Sequence, residues 1–152
     1  VLHRSLIFVV LFAAFGTIIA GTGAERSAAG AATSVDWPSY NNDLESDRYV
    51  ALSQISTSNV GSLHVACTAP LGSVQGLESG PIEIGGTLYV TETATTIAIN
   101  AATCKQIWSS AYTGNTGGWP NRGAAAAGGL VFRGFGDGHV VALNAATGTV
   151  VW

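Results

Sequence analysis

Glu78 and Arg122 stand 44 residues apart (122 − 78), and so do Trp108 and Trp152 (152 − 108). A carboxylate and a guanidinium on one position of a repeat face a shared site, and the arginine offers a planar donor fork that stays charged. Cys67 and Cys104, 37 residues apart (104 − 67), are the only cysteines. Neither has a His, Cys or acidic partner at ligand spacing, which disfavours a metal site. No Ser/His/Asp or Cys/His set with the logic of an activated nucleophile is present. GFGDG (134–138) is not a phosphate loop, because no helix follows it. Asp137 reads as a turn residue, and His64 and His139 as exposed strand positions.

An internal repeat must position these residues. AINAATCKQIW (98–108) returns as ALNAATGTVVW (142–152), with agreement at Ala98/Ala142, Asn100/Asn144, Ala101/Ala145, Ala102/Ala146, Thr103/Thr147 and Trp108/Trp152. One exchange stands out: Cys104 holds the place of Gly148. Upstream, GGTLYVTETATTIAIN (85–100) matches GGLVFRGFGDGHVVALN (128–144) with one residue of slack. A period of this length belongs to solenoids and propellers. Each copy divides into four short β runs, 81–85, 87–91, 95–100 and 105–112, then 123–128, 130–135, 139–144 and 149–152. Gly136-Asp137-Gly138 is expected to supply the positive-φ residues of a tight hairpin.

Four strands per repeat is the arithmetic of a propeller blade, and neither copy has the apolar spacing a helical repeat needs. The expected fold is all-β: an incomplete propeller over 63–152, with blades at 81–112 and 123–152 and one ring-closing strand at 63–71. Two blades cannot bury their end faces, so the chain reads as truncated, with the partners of strand 63–71 expected beyond Trp152.

Charged residues make up 10% of the chain and the net charge is −3, so no basic surface is available for phosphates and a nucleic-acid partner is excluded. Twenty glycines suit a turn-rich β protein. At the N-terminus, His3 and Arg4 precede an apolar run (6–20) and then small residues, with cleavage candidates at Thr22-x-Ala24 and Gly30-x-Ala32. Residues 1–32 therefore read as an export signal. A retained anchor is the other reading, since a run of roughly 15 residues falls just below the about 17–25 needed to span a bilayer. Either way the remainder faces an oxidising compartment, and no stable membrane span is expected once the signal is removed. Residues 33–62 are polar and lack an apolar period, so they are expected to wrap a surface.

The run from Ala142 to Trp152 fits A-x-N/D-x-x-T-G-x-x-x-W. It resembles the tryptophan-docking motif of eight-bladed quinoprotein propellers, the dehydrogenases that use pyrroloquinoline quinone (PQQ). DWPSY, DRY and LSQISTSNVGSL, between 36 and 63, resemble the segment that opens the alcohol and glucose dehydrogenases of that family. The resemblance implies that the Trp of one motif packs on the Gly turn of the next, which makes Trp108 and Trp152 docking residues. It places Cys67 where a docking Trp would stand and Cys104 at a Gly position. A Cys67–Cys104 disulfide replacing one Trp-on-Gly contact is thereby implied, against the alternative of two unrelated thiols.

The same resemblance implies a cofactor site. Asn121-Arg122-Gly123 matches a family stretch whose Arg pairs with the quinone, and Glu78 in GLESGPI (76–82) matches a glutamate that contacts it; an ordinary ion pair is the alternative for both. PQQ carries three carboxylates and an ortho-quinone, which suit a guanidinium. The catalytic aspartate and the Ca²⁺ ligands come from later blades in the family, so no catalytic residue and no metal ligand is assigned in this chain. Methanol-type members carry adjacent cysteines at the positions held here by Thr116 and Gly117, whereas glucose-type members manage without them. Trp119 is the candidate to cover one cofactor face instead. The implied function is the N-terminal part of a periplasmic dehydrogenase that oxidises alcohols or sugars and passes electrons to a periplasmic acceptor, inactive as an isolated piece. A non-catalytic propeller that binds other proteins is the second reading, favoured by the missing cysteine pair as Arg122 and Glu78 favour the enzyme.

Overall fold

In the computed structural model, residues 35–72, 78–116 and 121–152 are described. The expected export signal at 1–32, and Gly117 and Trp119, lie outside them. Each repeat begins with the same two-residue hairpin. Gly85 and Gly86 have φ of +56° and +81°, and Gly128 and Gly129 have +57° and +76°. Two consecutive positive-φ residues match the right-handed twist of the flanking strands, which is why both copies carry Gly-Gly there. Around these turns run β1 (Ile82–Ile84), β2 (Thr87–Thr91), β3 (Thr95–Asn100) and β4 (Gln106–Ala111) in one antiparallel sheet of order β1-β2-β3-β4. The second sheet holds β5 (Ala125–Ala127), β6 (Leu130–Gly134) and β7 (Val140–Asn144) in order β5-β6-β7.

The fourth run of the second copy, 149–152, forms a single bridge, Leu143 with Val150, rather than a full strand. It lies along β7 through Asn144 N to Thr149 O, Val151 N to Ala142 O and Ala142 N to Trp152 O. The segment 63–71, expected as a strand, pairs with no strand among the described residues. Alternating side chains give a segment the capacity to be a strand, but only a neighbour's backbone groups make it one. The segment instead contributes Ala69 and Pro70 to a cavity of about 250 Å³ whose lining includes Ile97 and Ile99 of the first sheet. The polar segment, from Val35 on, joins the sheets: Trp37 bridges Glu83, Asp36 Oδ1 accepts from Gly85 N, and Pro38 O accepts from Ala126 N.

The β6–β7 loop corrects another expectation. Of Gly136, Asp137 and Gly138, only Gly138 has positive φ, at +88°. Phe135 N donates to His139 O and Gly138 N to Phe135 O, so a three-residue loop needs one left-handed residue at its end and not several. Asp137 is the turn residue here. Its Oδ1 accepts from His139 N at 3.1 Å and lies 3.1 Å from His139 Nδ1, and its Oδ2 accepts from Tyr112 Oη at 2.8 Å. Burial alone would raise the Asp137 pKa, but these hydrogen bonds outweigh it and hold the carboxyl below the ordinary range. The Tyr112 phenol is raised in return, chiefly because it donates to Asp137.

The core lies between the sheets. Ile82, Tyr89, Ala98 and Trp108 face one another across β1 to β4 in a single cross-strand row. They pack with Val131 and Leu143 of the second sheet in one buried cluster. Strand periodicity does the sorting: β6 turns Val131 and Arg133 to one face and Phe132 to the other.

Candidate functional site

The repeat turn is the first element of the site to resolve. Asn100 Oδ1 accepts from Ala102 N and Thr103 N, and Asn144 Oδ1 accepts from Ala146 N and Thr147 N, all within 3.1 Å. Asn100 O and Asn144 O accept from Cys104 N at 2.9 Å and Gly148 N at 2.8 Å. Both turns therefore end on a left-handed residue, Cys104 at φ +56° and Gly148 at φ +72°. Trp108 uses the absent side chain at Gly148: a Cβ there would sit 2.5 Å from its Cε3. Its Nε1 donates to Ala145 O at 2.9 Å, and Tyr89 Oη donates to the same oxygen at 3.1 Å. At the equivalent turn one repeat earlier, Cys67 and Cys104 are joined as a disulfide with Cα atoms 5.8 Å apart. Trp152, with 61% of its surface exposed, sits 6.1 Å from Phe132, as Trp108 sits 5.8 Å from Tyr89.

The segments that lead into the two sheets also meet. Arg122 Nη1 lies 3.7 Å from Glu78 Oε2, with side chains 77% and 58% exposed. An ion pair so exposed is worth about 0–1 kcal/mol, so either partner can be taken up by a ligand at little cost. Gly123 stands behind the pair with φ +95°, and a Cβ there would meet Ser79 Cβ at 3.4 Å. The glycine of Asn121-Arg122-Gly123 thus serves both the backbone conformation and the approach of the neighbouring entry. Asn121 is buried and fixes the turn: its Oδ1 accepts from Gly123 N at 2.9 Å and its Nδ2 donates to Glu92 O at 2.9 Å.

One buried residue escaped the reading of the sequence. Arg133 is 2% exposed and reaches from β6 across to the first sheet. Its Nη1 donates to Thr96 Oγ1 at 3.0 Å, and its Nη2 donates to Thr93 O at 2.9 Å and to Glu92 O. The guanidinium lies 4.5 Å from the centre of the Phe135 ring. Burial lowers its pKa to about 10, against a smaller opposing effect of the Glu92 carboxylate. Strand alternation was the available signal, since Arg133 is two residues from Val131 on the same face.

Arg122, Arg133, Asn121, Thr93 and Thr116 line a cavity of about 330 Å³ whose described lining carries no carboxylate. Two guanidinia, one of them with free donors, and two hydroxyls suit a planar group bearing several carboxylates, so the residues present fit PQQ. No group of three or more His, Cys, Asp and Glu residues suited to a metal ion occurs among the described residues. The described residues also include no helix long and apolar enough to cross a membrane.

Two antiparallel sheets joined by a Trp-on-Gly turn at a 44-residue period define a repeat of the β-propeller class. The chain belongs to the PQQ family described as glucose/ethanol/alcohol dehydrogenase, beta-propeller domain, which matches residues 37–152. It is 37% identical over 132 residues to the quinohemoprotein alcohol dehydrogenase of Comamonas testosteroni, covering 82% of this chain and 19% of that protein. It is 38% identical over 125 residues to the dehydrogenase subunit of the quinone alcohol dehydrogenase of Gluconobacter oxydans (strain 621H), covering 77% of this chain and 16% of that protein. The crystal structure of the Comamonas testosteroni enzyme superposes with a TM-score of 0.71 at 35% identity, over 77% of this chain and 19% of that one. A europium-containing methanol dehydrogenase superposes with a TM-score of 0.68 at 29% identity, over 77% and 22%. The chain thus spans about a fifth of the length of the relatives it matches.

Proposed function

We propose that this chain is the N-terminal part of an exported, periplasmic PQQ-dependent dehydrogenase that oxidises small alcohols or sugars and delivers the electrons to a periplasmic acceptor. The observation that carries the reading is the Asn121-Arg122-Gly123 turn, which presents an exposed guanidinium beside Glu78 in a member of a quinoprotein family. Arg122 would hold the cofactor through a carboxylate or quinone oxygen, with charge-assisted hydrogen bonds of the kind a planar fork makes best. Glu78 would orient Arg122 and contact the cofactor edge. When bound, PQQ supplies the two-electron acceptor for the alcohol carbon, and this chain's part is binding and orientation. The base that takes the alcohol proton and the Ca²⁺ ligands are assigned to later blades, so the isolated chain is expected to be inert in turnover. Trp152 is reserved on this reading for the Gly turn of a following blade.

An Arg122→Ala substitution in the longer protein tests the reading. A loss of PQQ affinity of about 10- to 150-fold is expected for a charged hydrogen bond of about 1.5–3 kcal/mol. Unchanged affinity would remove Arg122 from the cofactor site, and no affinity in the parent would leave a propeller without this cofactor.

A further inference from the structure

We infer that Arg133 is a positioning residue for Arg122, acting through the carbonyl of Glu92; the inference rests on the cofactor reading of Arg122. The path is short and each step is a hydrogen bond. Arg133 Nη2 and Asn121 Nδ2 both donate to Glu92 O, and Asn121 Oδ1 accepts from Gly123 N. Arg122 is the residue enclosed between the two ends of that Asn121 clamp. If the Glu92 carbonyl moves, Asn121 must follow or lose its partner, and the direction in which Arg122 projects changes with it.

Three features make Arg133 the fixed end of this chain. All its acceptors, Glu92 O, Thr93 O and Thr96 Oγ1, lie in one five-residue stretch that turns from β2 into β3. A rigid fork bound at three points on one turn holds it as no single donor could. Second, burying a cation costs several kcal/mol, and a hydrophobic side chain would fill an inter-sheet position at least as well. The arginine is therefore in place for its donors and not for packing. Third, Arg133 and Arg122 line the same cavity, which sets the fixed end of the path beside the residue it positions. A staple between blades would need only the contacts to the first sheet; the shared carbonyl with Asn121 is what couples it to the site.

A double-mutant cycle in the longer protein, prepared free of cofactor, separates these roles. PQQ affinity is measured by quenching of protein fluorescence, and the unfolding midpoint is measured without PQQ. In the parent background, Arg133→Met is expected to weaken PQQ binding about tenfold, the loss of one charge-assisted interaction at about 1.4 kcal/mol. In an Arg122→Ala background the same change should alter affinity less than twofold, because nothing remains to be positioned. Asn121→Ala, which breaks the same path without removing a buried cation, should reproduce both results and carries the test if Arg133→Met does not fold. Equal effects in the two backgrounds, or a lowered midpoint with unchanged affinity, would overturn the inference and leave a purely structural arginine. If Arg122→Ala alone leaves affinity unchanged, the cofactor reading itself fails, an outcome visible in the first arm of the cycle.

Discussion

Replacing Gly148 by alanine should cost far more than replacing Gly128, although both glycines are left-handed. Gly128 has φ +57° and a Cβ there would meet nothing within 4 Å. Gly128→Ala is therefore expected to lose only the left-handed penalty, about 1–2 kcal/mol. Gly148 has φ +72°, and its Cβ would lie 2.5 Å from Trp108 Cε3 and 2.6 Å from Cδ2. No rotation of the methyl relieves such an overlap, so the indole must leave its seat. That movement breaks the Nε1 bond to Ala145 O, worth about 1 kcal/mol. It also forfeits part of the about 3–5 kcal/mol that a buried Trp contributes over Ala. The total expected for Gly148→Ala is about 3–5 kcal/mol. Urea unfolding under non-reducing conditions, followed by far-UV circular dichroism, gives both values, and tryptophan fluorescence of the native state should shift red only in Gly148→Ala. Losses equal within about 0.5 kcal/mol would refute the view that Trp108 on Gly148 holds the sheets together.

The disulfide and the hairpin carry two further predictions. Removing the bridge with Cys67→Ser and Cys104→Ser should cost about 4 kcal/mol for a 37-residue separation, and Cys104→Gly in place of Cys104→Ser should recover about 1 kcal/mol because φ is +56°. Urea midpoints of the two double variants check this, and peptide mapping without reductant should recover the Cys67 and Cys104 peptides joined. At Asp137 the sign follows from its lowered pKa: its contribution to stability is present above about pH 4 and is lost as pH falls through the folded-state value. Asp137→Asn should flatten that acid limb, and it should bring the Tyr112 titration, read at 295 nm, down toward the ordinary phenol range of about 10. An unaltered acid limb and phenol titration would show that the Tyr112 to Asp137 contact is absent in solution.

The repeat and most of its short β runs were legible because the features that bound them, the Gly-Gly hairpins and the Asn-x-x-Thr turns, rest on local chemistry. A positive φ asks for glycine, and an Asn side chain caps amides two and three residues on, and both residue patterns recur in the two copies of the repeat. The 44-residue spacing then put Glu78 and Arg122 on one repeat position without any knowledge of contacts. Other features required the packed sheets. Whether 63–71 becomes a strand depends on a neighbour's free backbone groups, which alternation along one segment cannot supply. That only Gly138 of the β6–β7 loop is left-handed follows from loop length and bond pattern. Nothing in the sequence singles out Arg133, a lone charge within a short β run. Its burial arises because the face it shares with Val131 closes on the first sheet, where three acceptors between Glu92 and Thr96 meet it. Periodicity assigns a residue to a face, and only tertiary structure decides what that face meets.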